Sequence, residues 1–235
     1  MQVLTNQRFV RTRRRLGHLS TILGFACLIG GLVLSWQRTE LILLAYATLL
    51  PGFLLINYGK YNTIRWGVKP RVDEVLTNAL KALDHRYQLL NYVNGLPVDN
   101  LLLTPTGLLV LEVRPYFGEF VNKGSKWSRK RGFFGLLLAL GEGSLGNPTR
   151  DVRKNVGAVK QFLADRLGEQ TAAQVPVDGV VVFTHPRAKL TLEDPEVPVL
   201  LPRELKPAVR RPQGKAKLPG DVYRRVAQVL RSGEG

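Results

Sequence analysis

Three charged residues stand in a stretch of the chain that is otherwise mostly apolar. The stretch runs from Gly95 to Pro115 and reads GLPVDNLLLTPTGLLVLEVRP. Its charged members are Asp99, Glu112 and Arg114. Two carboxylates held side by side in an apolar sheet repel each other and resist desolvation, so a positive charge must compensate them. A divalent cation would do so, and carboxylate oxygens suit Mg²⁺ or Mn²⁺.

The turn between two predicted strands sets how these carboxylates face each other. Residues Thr104 to Gly107 read TPTG, a strong turn sequence. If Thr104 and Gly107 flank a two-residue turn, paired residues have numbers that sum to 211. Asp99 and Glu112 then lie directly opposite, with Cβ atoms roughly 4.5–5.5 Å apart. Arg114 points to the same face, so the pattern predicts either a metal site or an acidic pair neutralised by Arg114.

The elements predicted around this hairpin describe an α/β domain. Apolar spacing predicts helices over 72–86 and from Asn147 to about Leu167. A continuous β-branched run predicts a buried strand over 177–184. Further strands are predicted at 88–93, 99–104, 108–114, 118–121 and 197–201. This order predicts a central sheet covered by helices on both faces.

Two long apolar runs precede the domain, at residues 17–36 and 41–58. Each has about the ~20 residues needed to cross a bilayer, and neither contains Asp, Glu, Lys or Arg. The four residues between them allow only a tight hairpin. A signal peptide is the competing interpretation of the first run, but no Ala-x-Ala-like site follows it. We therefore expect a transmembrane helical hairpin over 17–58.

The charge distribution predicts both the orientation and the type of partner. Arginines precede the first run and basic residues follow the second, so positive-inside reasoning puts the N-terminus and the domain in the cytoplasm, on a multi-pass anchor in the cell (inner) membrane. The chain has 34 basic and 18 acidic residues, a net charge of +16. After residue 59 there remain 28 basic and 17 acidic residues, a net charge of +11. Nucleic acid and anionic lipid headgroups both suit such a charge.

The chain is expected to divide into five parts. These are a basic cytoplasmic N-terminus (1–16), the hairpin (17–58), a linker (59–71), the α/β domain (72–202) and a loose basic, Pro-rich tail with a short amphipathic helix (203–235). An apolar piece at 132–146 is expected to pack on the domain or to dip into the membrane. The single cysteine, Cys27, excludes an internal disulfide, and His18, His85 and His185 are interpreted as structural or surface residues.

The acidic hairpin resembles the signature of the PD-(D/E)xK nucleases, in which an acidic residue on one strand precedes Glu-x-Lys on the next. The corresponding pieces are Val98-Asp99 and Glu112-Val113-Arg114. Over about residues 70–185 the chain is similar to the nuclease-related domain, NERD. The further matches are Glu74 early in a helix, Gly118, Trp127 and the helix start Asn147-Pro148-Thr149-Arg150-Asp151. The resemblance implies a restriction-endonuclease-like mixed sheet flanked by helices, preceded here by two transmembrane helices.

The resemblance also implies a function, which is metal-dependent hydrolysis of phosphodiesters in DNA or RNA at the cytoplasmic side of the membrane. It makes Glu74, Asp99, Glu112 and Arg114 the catalytic residues, with Asp99 and Glu112 holding Mg²⁺ or Mn²⁺. Arg114 would steady the developing negative charge. Five basic residues are predicted to contact nucleic acid or anionic lipid: Lys123, Lys126, Arg129, Lys130 and Arg131.

Three departures from the family pattern bear on activity. Arg114 stands at the lysine position, Asp151 at the glutamine position and Asn100 at the position usually held by histidine. Arginine supplies charge and hydrogen bonds but is not deprotonated in proteins. The alternative function is therefore a catalytically impaired module, tethered to the membrane, that binds nucleic acid or a protein partner. A third is a membrane-hairpin scaffold whose basic face binds lipid headgroups.

Overall fold

The described chain consists of two compact units. The computed structural model describes residues 1–37, 39–130, 145–210 and 216–231. The first unit comprises residues 1–6, 72–130 and the described residues from 145 onward, and the second contains residues 7–71. Apart from Leu145 and Gly146, the apolar piece predicted at 132–146 lies outside the described residues.

A six-stranded mixed sheet forms the centre of the first unit. Its strands are β1 (Gln2–Thr5), β2 (Gln88–Asn91), β3 (Asn100–Thr104), β4 (Gly107–Arg114), β7 (Val177–Phe183) and β9 (Val199–Leu200), in the spatial order β1-β2-β3-β4-β7-β9. Strands β2, β3 and β4 pair antiparallel. The other neighbours pair parallel. The predicted mixed α/β sheet is therefore confirmed, and β1 is a strand that the sequence did not predict.

A second, three-stranded sheet lies in the same unit. It contains β5 (Gly118–Lys123), β6 (Lys126–Lys130) and β8 (Ala188–Glu193) in the order β6-β5-β8. Strand β5 pairs antiparallel with β6 and parallel with β8. Only the first part of β5 was predicted from the sequence.

Helices cover both faces of the main sheet, as predicted. They are α3 (Val72–Ala79), α4 (Pro148–Leu167), α5 (Glu169–Ala172), α6 (Pro202–Arg210) and α7 (Gly220–Arg231). Leu163 of α4 and Val226 of α7 are buried in one apolar cluster with alternate residues of β3 and β4. Leu76 of α3 and Leu205 of α6 are buried in the cluster on the opposite face.

Two elements differ from their predicted extent, one through a local hydrogen bond and one through burial against the sheet. The helix predicted over 72–86 ends at Ala79, and the Asp84 carboxylate accepts the backbone N–H of Arg86 at 2.8 Å. Such a side-chain bond competes with helical hydrogen bonds. The tail predicted as loose contains α6, whose Leu205 and Val209 are buried against the sheet. Burial of these two apolar residues gives this basic segment a fixed place.

The second unit is built on two long apolar helices, α1 (Gln7–Gln37) and α2 (Ile42–Asn62). Both are long and apolar enough to cross a membrane. A 3₁₀ turn at Thr39–Leu41 precedes α2, and a π-helical turn at Thr63–Gly67 follows it. Helix α1 begins ten residues before the predicted apolar run at residue 17, so the N-terminal arginines lie on its first turns.

Small residues allow α1 and α2 to approach each other closely. Every seventh residue on the facing sides is buried and small: Gly17, Gly24 and Gly31 on α1, and Ala45, Gly52 and Gly59 on α2. A Cβ atom at Gly24 would lie 2.8 Å from the carbonyl oxygen of Gly52. Backbone contact of this kind is typical of helix pairs in membranes.

Candidate functional site

The predicted β3–β4 hairpin has the register expected from its turn. Leu101 pairs with Val110, and Thr104 pairs with Gly107, so the residue numbers of each pair sum to 211. Side chains alternate along a strand. Glu112 therefore lies on the same face of β4 as Val110, the face covered by α4 and α7.

Arg114 forms ion pairs with two carboxylates at the end of β4. Its Nη1 group donates to Oε1 of Glu112, and its Nη2 group donates to Oδ2 of Asp151 at 2.5 Å. The second Glu112 oxygen, Oε2, accepts the Nδ2 group of Asn155 at 2.7 Å. The side chains of Arg114 and Glu112 are 12% and 16% exposed, and that of Asp151 is 36% exposed. The site is thus a largely desolvated network in which arginine is the cation.

The start of α4 is fixed by two polar contacts, and this places Asp151. The side chain of Asn147 caps the helix by accepting the backbone N–H of Arg150 at 3.0 Å. The indole N–H of Trp127 on β6 donates to the hydroxyl of Thr149 at 2.8 Å. Since Asn147 provides the cap, the Asp151 carboxylate is available to pair with Arg114.

A glycine in β7 allows α4 to lie close to the sheet. A Cβ atom at Gly179 would lie 2.2 Å from Cγ1 of Val152 and 2.9 Å from Cγ2 of Val156. The absence of a side chain there lets α4 reach the carboxylate of β4. Asp151 and Asn155 are four residues apart on α4, so they share the face that meets Glu112 and Arg114.

The other two predicted catalytic residues do not appear among these contacts. Asp99 is exposed and lies in a bend one residue before β3, where its carbonyl accepts the backbone N–H of Tyr92 at 2.6 Å. Glu74 lies on α3, and α3 packs through Leu76 in the cluster of Leu111, on the opposite face of β4 from Glu112. The catalytic roles of Glu74 and Asp99 stay predictions.

The residues around Glu112 fit an arginine counter-ion and do not fit a divalent cation in this arrangement. A hard cation requires several oxygen ligands directed at one point. Both oxygens of Glu112 accept N–H groups instead, and the guanidinium lies between Glu112 and Asp151. No group of three or more His, Cys, Asp or Glu side chains with metal-site geometry occurs in the described part of the chain. The Mg²⁺ or Mn²⁺ site at Asp99 and Glu112 stays a prediction.

The predicted nucleic-acid contacts differ in their exposure. Lys126 and Lys130 are exposed at alternate positions of β6, so they share its outer face. Lys123 is exposed and lies 3.6 Å from the carboxylate of Glu193. Arg129 is half-buried. Arg131 lies outside the described residues.

Asn155 was not predicted from the sequence, and Asp151 was noted only as a departure from the glutamine of the family pattern. A signal for both was available. Asp151 and Asn155 follow the Asn-Pro helix start at a spacing of four residues, which puts two polar side chains on one face of a helix whose other inward positions are apolar. The partner of that polar face could not be identified without the fold.

A family model described as the nuclease-related domain, NERD, matches residues 71–184. The matched range begins just before α3 and ends after β7, so it includes Glu112, Arg114, Asp151 and Asn155. No curated protein and no solved structure matches the chain.

Proposed function

Because the chain belongs over residues 71–184 to the nuclease-related domain family, we propose that it binds nucleic acid at the cytoplasmic face of a membrane without metal-dependent cleavage. The observation that carries this proposal is the guanidinium of Arg114 between Glu112 and Asp151. An arginine in this place neutralises Glu112, which the family resemblance assigns to a metal, together with Asp151. It cannot act as a general base, because it keeps its proton.

Charge supports nucleic acid as the partner of the domain. Residues after position 59 carry 28 basic and 17 acidic side chains, a net charge of +11. Lys126 and Lys130 are exposed on one face of β6, the strand whose Trp127 contacts α4. Cations that pair with phosphates release counter-ions, and this release drives binding.

The two apolar helices support a membrane anchor with both ends on one side. Strand β1 precedes α1 directly and pairs with β2 of the domain, whereas α3 follows α2 after a short connection. The residues before and after the hairpin therefore belong to one folded unit. That unit lies in the cytoplasm if the arginines on the first turns of α1 obey the positive-inside rule.

Metal-dependent hydrolysis is the second candidate function, favoured by the two carboxylates of Glu112 and Asp151 that contact one guanidinium at the end of β4. It requires Arg114 to release these carboxylates to Mg²⁺ or Mn²⁺. The energy of two desolvated ion pairs opposes that release.

Binding is tested with the full chain in detergent micelles and a labelled single-stranded oligonucleotide, in the presence of EDTA. We expect the affinity to fall as the salt concentration rises. The logarithm of the binding constant should fall linearly with the logarithm of the salt concentration, with a slope of about −0.7 for each phosphate contact on a single strand. The double variant Lys126→Gln/Lys130→Gln should reduce that slope by about 1.4. No binding in EDTA at low salt would refute the proposal.

A further inference from the structure

A cluster of one aromatic ring, two guanidinium groups and one imidazole is formed by the loops beyond β4 and β7 together with Arg129 of β6. Its centre is Phe117. The guanidinium carbons of Arg129 and Arg187 lie 5.3 Å and 5.4 Å from the centroid of the Phe117 ring. The imidazole ring of His185 lies 5.7 Å from it, tilted by 49°. We call these four residues the Phe117 cluster.

The fold holds each member of the Phe117 cluster in place. The Nη2 group of Arg129 donates to the carbonyl of Phe117 at 2.6 Å, and its guanidinium also lies over Phe120. The backbone N–H of Arg187 donates to Nδ1 of His185 at 3.1 Å. This hydrogen bond orients the His185 ring beside Phe117.

The Phe117 cluster is adjacent to the network of Arg114. Strands β4 and β7 are parallel, so both end at the same edge of the sheet. The backbone N–H of Thr184 donates to the carbonyl of Arg114 at 3.2 Å, joining the two strand ends. Phe117 and His185 follow these ends within three residues and are half-buried, whereas Arg187 is exposed.

We propose that the Phe117 cluster binds single-stranded nucleic acid, with a base stacked on the guanidinium plane of Arg187. Phe117 supports that plane from within the protein. Guanidinium and aromatic planes stack with bases of any sequence. The N–H groups of Arg187 then donate to the flanking phosphates. This inference rests on the proposed function and names the form of nucleic acid that the domain prefers.

A planar stack distinguishes this surface from one that binds only charge. A lysine at position 187 would pair with phosphates or lipid headgroups equally well, but it has no plane on which a base could stack. The base-dependent part of the affinity is therefore the quantity to measure. We define it as the ratio of affinities for a single-stranded oligonucleotide and for an abasic oligonucleotide of equal length and charge.

The experiment measures this ratio by fluorescence anisotropy with the full chain in detergent micelles and EDTA. We expect the wild type to bind the base-containing strand about tenfold more tightly than the abasic strand. Arg187→Lys and Phe117→Leu should each bring the ratio close to one. The matched control is Lys81→Gln, because Lys81 is exposed and precedes β2 at the opposite end of the sheet. Lys81→Gln should leave the ratio unchanged.

Three results would overturn the inference. One is an unchanged ratio in Arg187→Lys and Phe117→Leu variants that melt at the wild-type temperature. Another is an equal fall in Lys81→Gln. The third is a competition result in which dihexanoyl phosphatidylglycerol, below its micellar concentration, displaces the oligonucleotide more readily than the abasic strand does. That result would identify the Phe117 cluster as a lipid-binding site. In all three cases the proposed function survives, whereas absence of any nucleic-acid binding would refute both.

Discussion

Arg114 lies where the family resemblance expects a lysine beside a metal, and its two ion pairs change what the site can do. The pairs are largely removed from water, with Arg114 only 12% exposed. Breaking a buried pair by removing one partner is costly, because the remaining charge is left without compensation. The partial exposure of Asp151 reduces this cost on its side of the network.

Arg114→Gln should therefore destabilise the protein and allow another cation to bind between Glu112 and Asp151. We expect the free energy of unfolding to fall by about 1–3 kcal/mol, since Glu112 and Asp151 lose their counter-ion. Added Mn²⁺ should then raise the melting temperature of Arg114→Gln and leave that of the wild type unchanged, as measured by thermal denaturation with and without EDTA. A wild-type melting temperature that rises with Mn²⁺ would contradict the counter-ion role of Arg114.

At the scale of elements, the position of α4 on β7 depends on the missing side chain at Gly179. Gly179→Ala should lower the free energy of unfolding by about 1–3 kcal/mol, the usual cost of overpacking, because the new Cβ meets Val152. The matched control is Gly157→Ala on α4, where no atom lies within 4 Å of the new Cβ. That control should raise the stability by about 0.5–1 kcal/mol through helix propensity. Thermal or urea denaturation of both variants checks the pair, and equal effects would argue against close packing.

The sequence predicted the elements whose signals are local. The turn at Thr104 to Gly107 determined the register of the hairpin, and the Asn-Pro start of α4 occurs at the predicted residue. Strand β9 is shorter than predicted, and Pro198, which has no N–H group to donate to a sheet, stands just before it. Strand β8 alternates apolar and polar residues from Ala188 to Glu193, a strand signal that was present but not used.

The remaining elements depend on contacts that are distant in sequence. Strand β1 has four residues, and its partner β2 lies more than 80 positions later, so nothing local identifies it. The same applies to the candidate site. Glu112 and Arg114 were predicted to share a face, but the pairing of Arg114 with Asp151 bridges 37 positions. Which cation would neutralise the acidic pair could therefore not be decided from the hairpin alone.

At the scale of the whole molecule, the pairing of β1 with β2 predicts the membrane topology. Because β1 pairs with β2, the N-terminus and the domain must lie on the same side of any membrane that α1 and α2 cross. Reporter fusions at the N-terminus, within residues 38–40 and after residue 231 check this. We expect both terminal fusions to report the cytoplasm and the loop fusion to report the opposite side. Terminal fusions on opposite sides would exclude the hairpin.

For the whole molecule we predict that the nuclease-like fold holds nucleic acid without cutting it. The most direct test is to incubate the full chain in detergent with labelled single-stranded RNA, single-stranded DNA and plasmid DNA in Mg²⁺, Mn²⁺ or EDTA, with Glu112→Gln alongside. We predict intact substrates in all conditions and similar affinity for the single strands in EDTA and in metal. Metal-dependent cleavage by the wild type that disappears in folded Glu112→Gln would contradict the account and establish the hydrolytic function instead.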